Sequence, residues 1–274
     1  MEHDAAGRTV RQLLLVLASA LALAPTAFML ATAFKAQDEY RIDRLGLPDA
    51  WVLDQFRQVL LESPFLAWML NSAILAAGAV ALSLIVSVLA AYAIARMEFP
   101  GRDVLLTVST ALMAVPPVVL IVPLFVLYSR LGLVSTFPGA ILIYAGLIAP
   151  FSVYLLTTFF RSLPKELFEA ATVDGIPHLR ILWSVVLPLS LPAVLTLVIV
   201  NALFVWNDLL IAVIFLQSDD KRTLMAGISV FQGRYNNQIP LTMAGMAVAA
   251  APMLILYLMF QKHFVRGLMA GAVK

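Results

Sequence analysis

Apolar residues fall in six long runs, and polar residues collect between them. The runs cover about residues 12–34, 67–95, 104–128, 137–160, 183–216 and 241–260. Each supplies the ~20 residues an α-helix needs to cross a bilayer core. The pattern predicts an all-α membrane protein with six transmembrane helices. The second and fifth runs exceed one straight crossing, so they are expected to tilt or protrude. Pro116-Pro117 lies inside the third run and should bend or break it, because proline has no N–H and clashes with the preceding turn. Such a bend serves either as a packing kink or as an opening in a pathway.

Composition agrees with this pattern. The chain is 62% hydrophobic and 12% charged, against about 25% charged residues in soluble domains. The longest polar stretch, residues 34–66, is shorter than the roughly 40 residues below which small folds need staples. A single transmembrane domain over residues 1–274 is expected. The first run has Arg8 and Arg11 before it and Ala31-Thr32-Ala33 near its end, as a signal peptide would. It is nevertheless longer than the ~7–15 residues of a signal h-region, so it is expected to remain as a helix.

Lys and Arg report orientation. With a cytoplasmic N-terminus, Arg8, Arg11, Arg96, Arg102, Arg161, Lys165, Arg180, Lys262, Arg266 and Lys274 fall inside. Lys35, Arg41, Arg44, Arg57, Arg130, Lys221, Arg222 and Arg234 fall outside. Arg41, Arg44 and Arg57 lie far from span ends, and discounting them favours an N-in, C-in arrangement. The net charge of +2 points to no nucleic-acid partner, and the absence of cysteine excludes disulfides and thiol chemistry. His3, His178 and His263 have no spacing suited to a metal site or a catalytic pair. The 11 methionines share no ligand spacing with histidine, so they read as packing or lipid-facing residues.

The loop at 161–182 is the best-marked polar segment. Pro164 suits a first helical turn, and Glu166 places negative charge where the helix dipole favours it. Gly175 suits a left-handed C-terminal position, and Pro177 forbids continuation. A helix this short is marginal alone in water and must pack on something. Leu167, Ala170, Ala171 and Asp174 share a face by their i, i+3, i+4, i+7 spacing, with Phe168 beside it as an anchor. The face either docks in a partner's groove or rests on the chain's own membrane domain.

Glu169-Ala170-Ala171, Gly175 and Val185-x-Leu187-Pro188 resemble the cytoplasmic loop of ABC-importer permease subunits, with Asp174 also in register. Val185 stands where isoleucine is commoner. Ala91-Tyr92-Ala93-x-Ala95-Arg96, Phe99-Pro100-Gly101, Pro123-Leu124-Phe125, Leu131-Gly132-Leu133, Trp206-Asn207-Asp208 and the tail from Phe264 to Lys274 are similar to the maltose-type, carbohydrate branch. The first outer loop matches nothing specific. The resemblance implies that helix 164–175 is a coupling helix between spans four and five, seated in a cytoplasmic ATPase subunit. It implies coupling roles for Leu167, Phe168, Glu169, Ala170, Ala171, Asp174, Gly175 and Pro188, and a second ATPase contact at Gly271, Ala272, Val273 and Lys274.

The implied partners are a second permease subunit of a different chain, a dimer of ATPase subunits and an extracytoplasmic binding protein. The implied setting is the bacterial inner membrane, and the implied solute is a sugar or oligosaccharide. No GxxxxGK[ST] loop occurs in this chain. No cofactor is therefore expected on it: ATP and Mg belong to the partner ATPase, and no catalytic or metal residue is assigned.

Asp208 is placed inside the fifth span, where an ionisable group costs about 2.5–3.5 kcal/mol on insertion scales and is a functional candidate. Asn201 lies seven residues earlier, on the same face of a continuous helix, while Asn207 points elsewhere. Asn71, Tyr144, Phe151 and Tyr154 complete the candidates for a solute pathway. The alternative for Asp208 is the outer water boundary or an interhelical hydrogen bond. The same loop is shared by permeases for amino acids, phosphate or glycerol-phosphate. An ion-coupled secondary transporter would show inverted repeats, and none stands out.

Overall fold

In a computed structural model, residues 2–233 and 236–272 are described. Helix α1 (Glu2–Ala33) is followed by α2 (Gln37–Ile42), α3 (Asp54–Arg57) with a π-helical turn at Gln58–Glu62, and α4 (Phe65–Arg96). Next come α5 (Arg102–Leu112), α6 (Pro117–Arg130), α7 (Phe137–Ser162), α8 (Lys165–Val173) and α9 (His178–Ile181). A π-helical turn at Leu182–Val186 leads to α10 (Leu187–Leu189), α11 (Leu191–Asn207) and α12 (Leu210–Phe215). After α13 (Leu224–Val230), a two-residue ladder pairs Gln232–Gly233 with Asn236–Asn237 before α14 (Ile239–Ala272).

Among the described residues, four helices are long and apolar enough to cross a membrane: Val10–Ala33, Phe65–Arg96, Phe137–Ser162 and Ile239–Gln261. Two more candidates are bent pairs. The third predicted run breaks between α5 and α6 by 101°, where Pro116 stands in extended backbone at φ −62°, ψ 131°. At 1.5 Å per residue neither piece alone covers the ~30 Å core.

The fifth predicted run is not continuous. The segment His178–Leu189 meets α11 at 77°, and the chain leaves helical geometry again at Asp208 (φ −74°, ψ 129°). Pro188 and Pro192 each remove a backbone donor around the first break. There the Ser190 N–H donates back to the Val186 and Leu187 carbonyls, at 2.9 and 3.1 Å.

The chain forms two compact units, Met1–Leu66 with Gly227–Ala251, and Ala67–Ala226 with Pro252–Lys274. In the first, Val10–Ala33 is apolar, exposed from Val10 to Phe28 and buried at Thr32 and Ala33. The loop after it is ordered by its own contacts. Lys35 is fully buried and its ammonium donates to the Asp43 carbonyl at 2.8 Å. The Asp43 carboxylate accepts the Leu45 and Gly46 N–H groups. The Phe34 ring packs at a tilt against Trp51 and Phe56, with centroids 5.2 and 4.9 Å apart.

The second unit is built on α4, α7 and α11. The first halves of α4 and α7 pack with the end of α11 and with α12 through Leu75, Ala79, Ile143, Tyr144, Val205 and Phe215. Their last turns pack with the start of α11 and with α8 through Val88, Tyr92, Leu156, Phe160, Leu197 and Ala171. Hence α4 and α7 run parallel and α11 antiparallel to both. Small polar residues on these helices, Ser83, Ser87, Ser152, Thr157 and Thr196, are buried. Small side chains allow the close helix approach that membrane packing relies on.

Candidate functional site

The predicted short helix exists as α8, nine residues long, or roughly 13 Å at 1.5 Å per residue. Gly175 closes it in the left-handed region at φ +69°. The Ile176 N–H donates to the Ala171 carbonyl at 3.0 Å, which is the 6→1 bond of a Schellman ending. Ile176 then packs into the same apolar cluster as Ala171.

The faces of α8 differ from expectation. Spacing groups Leu167, Ala170, Ala171 and Asp174 on one face, yet Ala171 is 7% exposed and belongs to the chain's own core. Phe168, expected as an anchor beside that face, packs beside that cluster with its ring under the Arg96 guanidinium, 3.7 Å from centroid to carbon. The inward face is therefore Phe168 and Ala171, spaced i, i+3. Leu167, Glu169, Val173, Asp174 and Gly175 are exposed, and Val173 reaches 88%. The side chain of Ala170 lies outside the described set. Pro188 is exposed on α10.

Two α4 residues absent from the expected site meet this region. Arg96 donates to the Phe160 carbonyl and, at 2.8 Å, to the Leu163 carbonyl, at the half-buried end of α7. Tyr92, one turn earlier, pairs its hydroxyl with His178 Nδ1 at 3.1 Å. A cavity of about 440 Å³ opens beside them, lined by Arg96, Glu98, Arg102, Lys165, Glu169 and His178 among others. Their signal in the sequence was the i, i+4 spacing of an aromatic and a cation at the end of an apolar run.

The intramembrane candidates do not form one stripe. Asp208 follows the end of α11, so it does not share a continuous helical face with Asn201. Its carboxylate accepts the Tyr144 hydroxyl at 2.8 Å and the Ile211 and Ala212 N–H groups at 2.9 and 3.3 Å. It joins α7 to the first turn of α12. Tyr144 is 1% exposed within the core. Asn201 donates to Ser152 Oγ at 2.9 Å.

Asn71 donates to the Asp220 and Arg222 carbonyls, both at 2.9 Å, and so holds the turn before α13. Asn207 is exposed and donates to Leu203 within its own helix, and Tyr154 is 42% exposed. Phe151 and Asn201 line a mostly apolar cavity of about 510 Å³, with Met113, Pro117, Pro150 and Phe204, at the break between α5 and α6. Gly271 and Ala272 end α14, while Val273 and Lys274 lie outside the described residues. Among the described residues no cluster of three His, Cys, Asp or Glu could hold a metal.

Long apolar helices, with two further candidate spans bent, make this a multi-pass membrane protein. The chain belongs to the family of binding-protein-dependent transport system inner membrane components, whose model matches residues 83–269. It is a multi-pass inner-membrane protein of a transport family, not of a catalytic one. It is 38% identical over 251 residues to the ORF2 product of Caldicellulosiruptor sp., designated an ABC transporter permease, covering 91% of each chain. It is 32% identical to the diacetylchitobiose uptake system permease protein NgcG of Streptomyces coelicolor, covering 95% of this chain and 87% of that one. It is 33% identical to the melibiose/raffinose/stachyose import permease protein MelC of Bacillus subtilis, over 91% of each. A chain of the crystal structure of a bacterial ABC transporter involved in alginate import shares the fold, with TM-score 0.81, 23% identity and coverage of 96% and 98%.

Proposed function

We propose that this chain is a permease subunit of an ATP-binding-cassette importer for a sugar or oligosaccharide. It crosses the membrane six times as one permease domain, each bent pair forming one span, with both termini cytoplasmic. Helix α8 is its coupling helix. A separate pair of ATPase subunits binds ATP and Mg, a second permease completes the pathway, and an extracytoplasmic binding protein delivers the solute. This chain performs no chemistry. ATP binding moves α8, and the spans shift between inward- and outward-facing populations.

The observation that carries this reading is α8 itself. It is seated on its own spans through Phe168 and Ala171 and presents Leu167, Glu169, Val173 and Asp174 outward. A short amphipathic helix held on one side and exposed on the other suits docking in a groove. The relatives named for diacetylchitobiose and for melibiose, raffinose and stachyose support the solute class.

Purification of the tagged chain from its own membranes is expected to bring down an ATPase and a second permease. Transport activity from this chain alone would defeat the reading. Gly175→Val would force a branched side chain into the left-handed region, at about 1–2 kcal/mol. Its Cβ would meet open space, so the cost lies in the backbone. It is expected to lower uptake per ATP hydrolysed, with membrane insertion preserved. Unchanged uptake per ATP would remove Gly175 from the coupling role. Calorimetry of the cognate binding protein against a sugar panel would name the solute.

A further inference from the structure

The coupling reading leaves open how motion of α8 reaches the spans. A nine-residue helix joined by loops would slip unless side chains tie it to the helices it is meant to move. The end of α4 supplies such ties. Arg96 donates to the Phe160 and Leu163 carbonyls where α7 ends, the first of which also accepts the Leu163 N–H. The same guanidinium lies 3.7 Å from the centre of the Phe168 ring on α8. Its planar fork can donate in its plane and stack through its face at once, which an ammonium cannot do. Tyr92, four residues earlier and 4% exposed, contacts His178 just beyond α8. One face of α4 thus grips the chain before α8, on α8 and after α8.

We propose that Arg96 is a positioning residue for energy coupling, a joint that fixes α8 to the ends of α4 and α7 so that the three move together. The proposal rests on the coupling-helix reading. Burial of Ala171 in the same cluster gives α8 a seat, but apolar contact alone lets a short helix slide. The Arg96 joint sets its register.

The test uses the complete transporter in proteoliposomes with its binding protein. It reads ATP hydrolysed per solute imported, maximal uptake rate and the solute concentration for half-maximal uptake. Arg96→Ala is expected to lower the maximal rate about ten-fold and raise ATP consumed per solute. Half-saturation should stay within about two-fold, because solute binds elsewhere. Phe168→Ala should act similarly, and the double variant should be no worse than the poorer single one, since both remove one contact.

Arg96→Lys keeps the charge but loses the fork, so it should not restore coupling. It also carries the test if Arg96→Ala fails to insert. Amide exchange of residues 165–174 should quicken in both Arg96 variants. Full coupling in Arg96→Lys, or additive losses in the double variant, would overturn the joint and leave ATPase docking intact. Absence of an ATPase from the wild-type preparation would instead overturn docking, and this proposal with it.

Discussion

Replacing Asp208 separates a structural role from a solute contact. Its carboxylate accepts three hydrogen bonds, from the Tyr144 hydroxyl and the Ile211 and Ala212 amides. The two amides belong to the first turn of α12, and losing such a cap costs about 1 kcal/mol. Tyr144 is 1% exposed, so its unpaired hydroxyl costs about 1–3 kcal/mol more. Asp208→Ala should therefore destabilise the protein by about 2–4 kcal/mol. Asp208→Asn keeps a carbonyl oxygen in place and should cost about 1 kcal/mol or less. Tyr144→Phe removes one interhelical bond, at about 0.6 kcal/mol.

Unfolding of the detergent-solubilised transporter with added sodium dodecyl sulfate, followed by helical circular dichroism, measures these differences. Uptake kinetics measure solute affinity in parallel. A loss under about 0.5 kcal/mol in Asp208→Ala, the scatter expected at surface sites, would refute the reasoning. So would equal losses for Ala and Asn. A raised half-saturation in Asp208→Asn at unchanged stability would place the carboxylate on the solute instead.

Gly139→Ala should be costly, because its Cβ would lie 2.3 Å from the Leu133 carbonyl oxygen and 2.9 Å from Thr136 Oγ1. Overpacking against backbone and loss of the Thr136 cap together predict about 2–4 kcal/mol, read as a lowered melting temperature. Gly78→Ala should cost less, since it meets the Ile141 side chain, which can swing aside. The Asp43 carboxyl is held below its ordinary value of 3.8, first by the Gly46 N–H, then by that of Leu45, with the Lys35 charge a smaller influence. A depressed carboxylate stabilises the loop above its unfolded pKa, and this is lost as pH falls through the lower folded value. Trp51 fluorescence should change only below the ordinary range. The same acid transition in Asp43→Asn would exclude Asp43 as its source.

Gly175 and Pro177 mark the end of α8 in the sequence because helix termination is local chemistry. The direction of Phe168 was not legible. In a nine-residue helix, spacing groups neighbours without saying which face meets the membrane domain, and the deciding contacts come from Arg96 and the cluster around Phe160. The end of the fifth helix at Asp208 was not legible for a related reason. An apolar run across residues 183–216 reads as continuous, because hydropathy does not register a residue leaving helical geometry. At the break, the Asp208 carboxylate accepts the hydroxyl of Tyr144, far earlier in the chain.

The sequence by itself determined that the chain is helical and membrane-spanning, where the short polar helix ends, and that Pro116-Pro117 interrupts the third run. Each follows from length, hydropathy or the covalent limits of proline and glycine. Only the tertiary structure decided which α8 face is spent inward, that Asp208 joins two helices, and that Tyr92 and Arg96 contact α8 and the chain on either side of it. Membrane helices are apolar on most faces whether they meet lipid or protein. Hydropathy therefore fixes that they cross, while close packing and paired polar groups fix what each face touches.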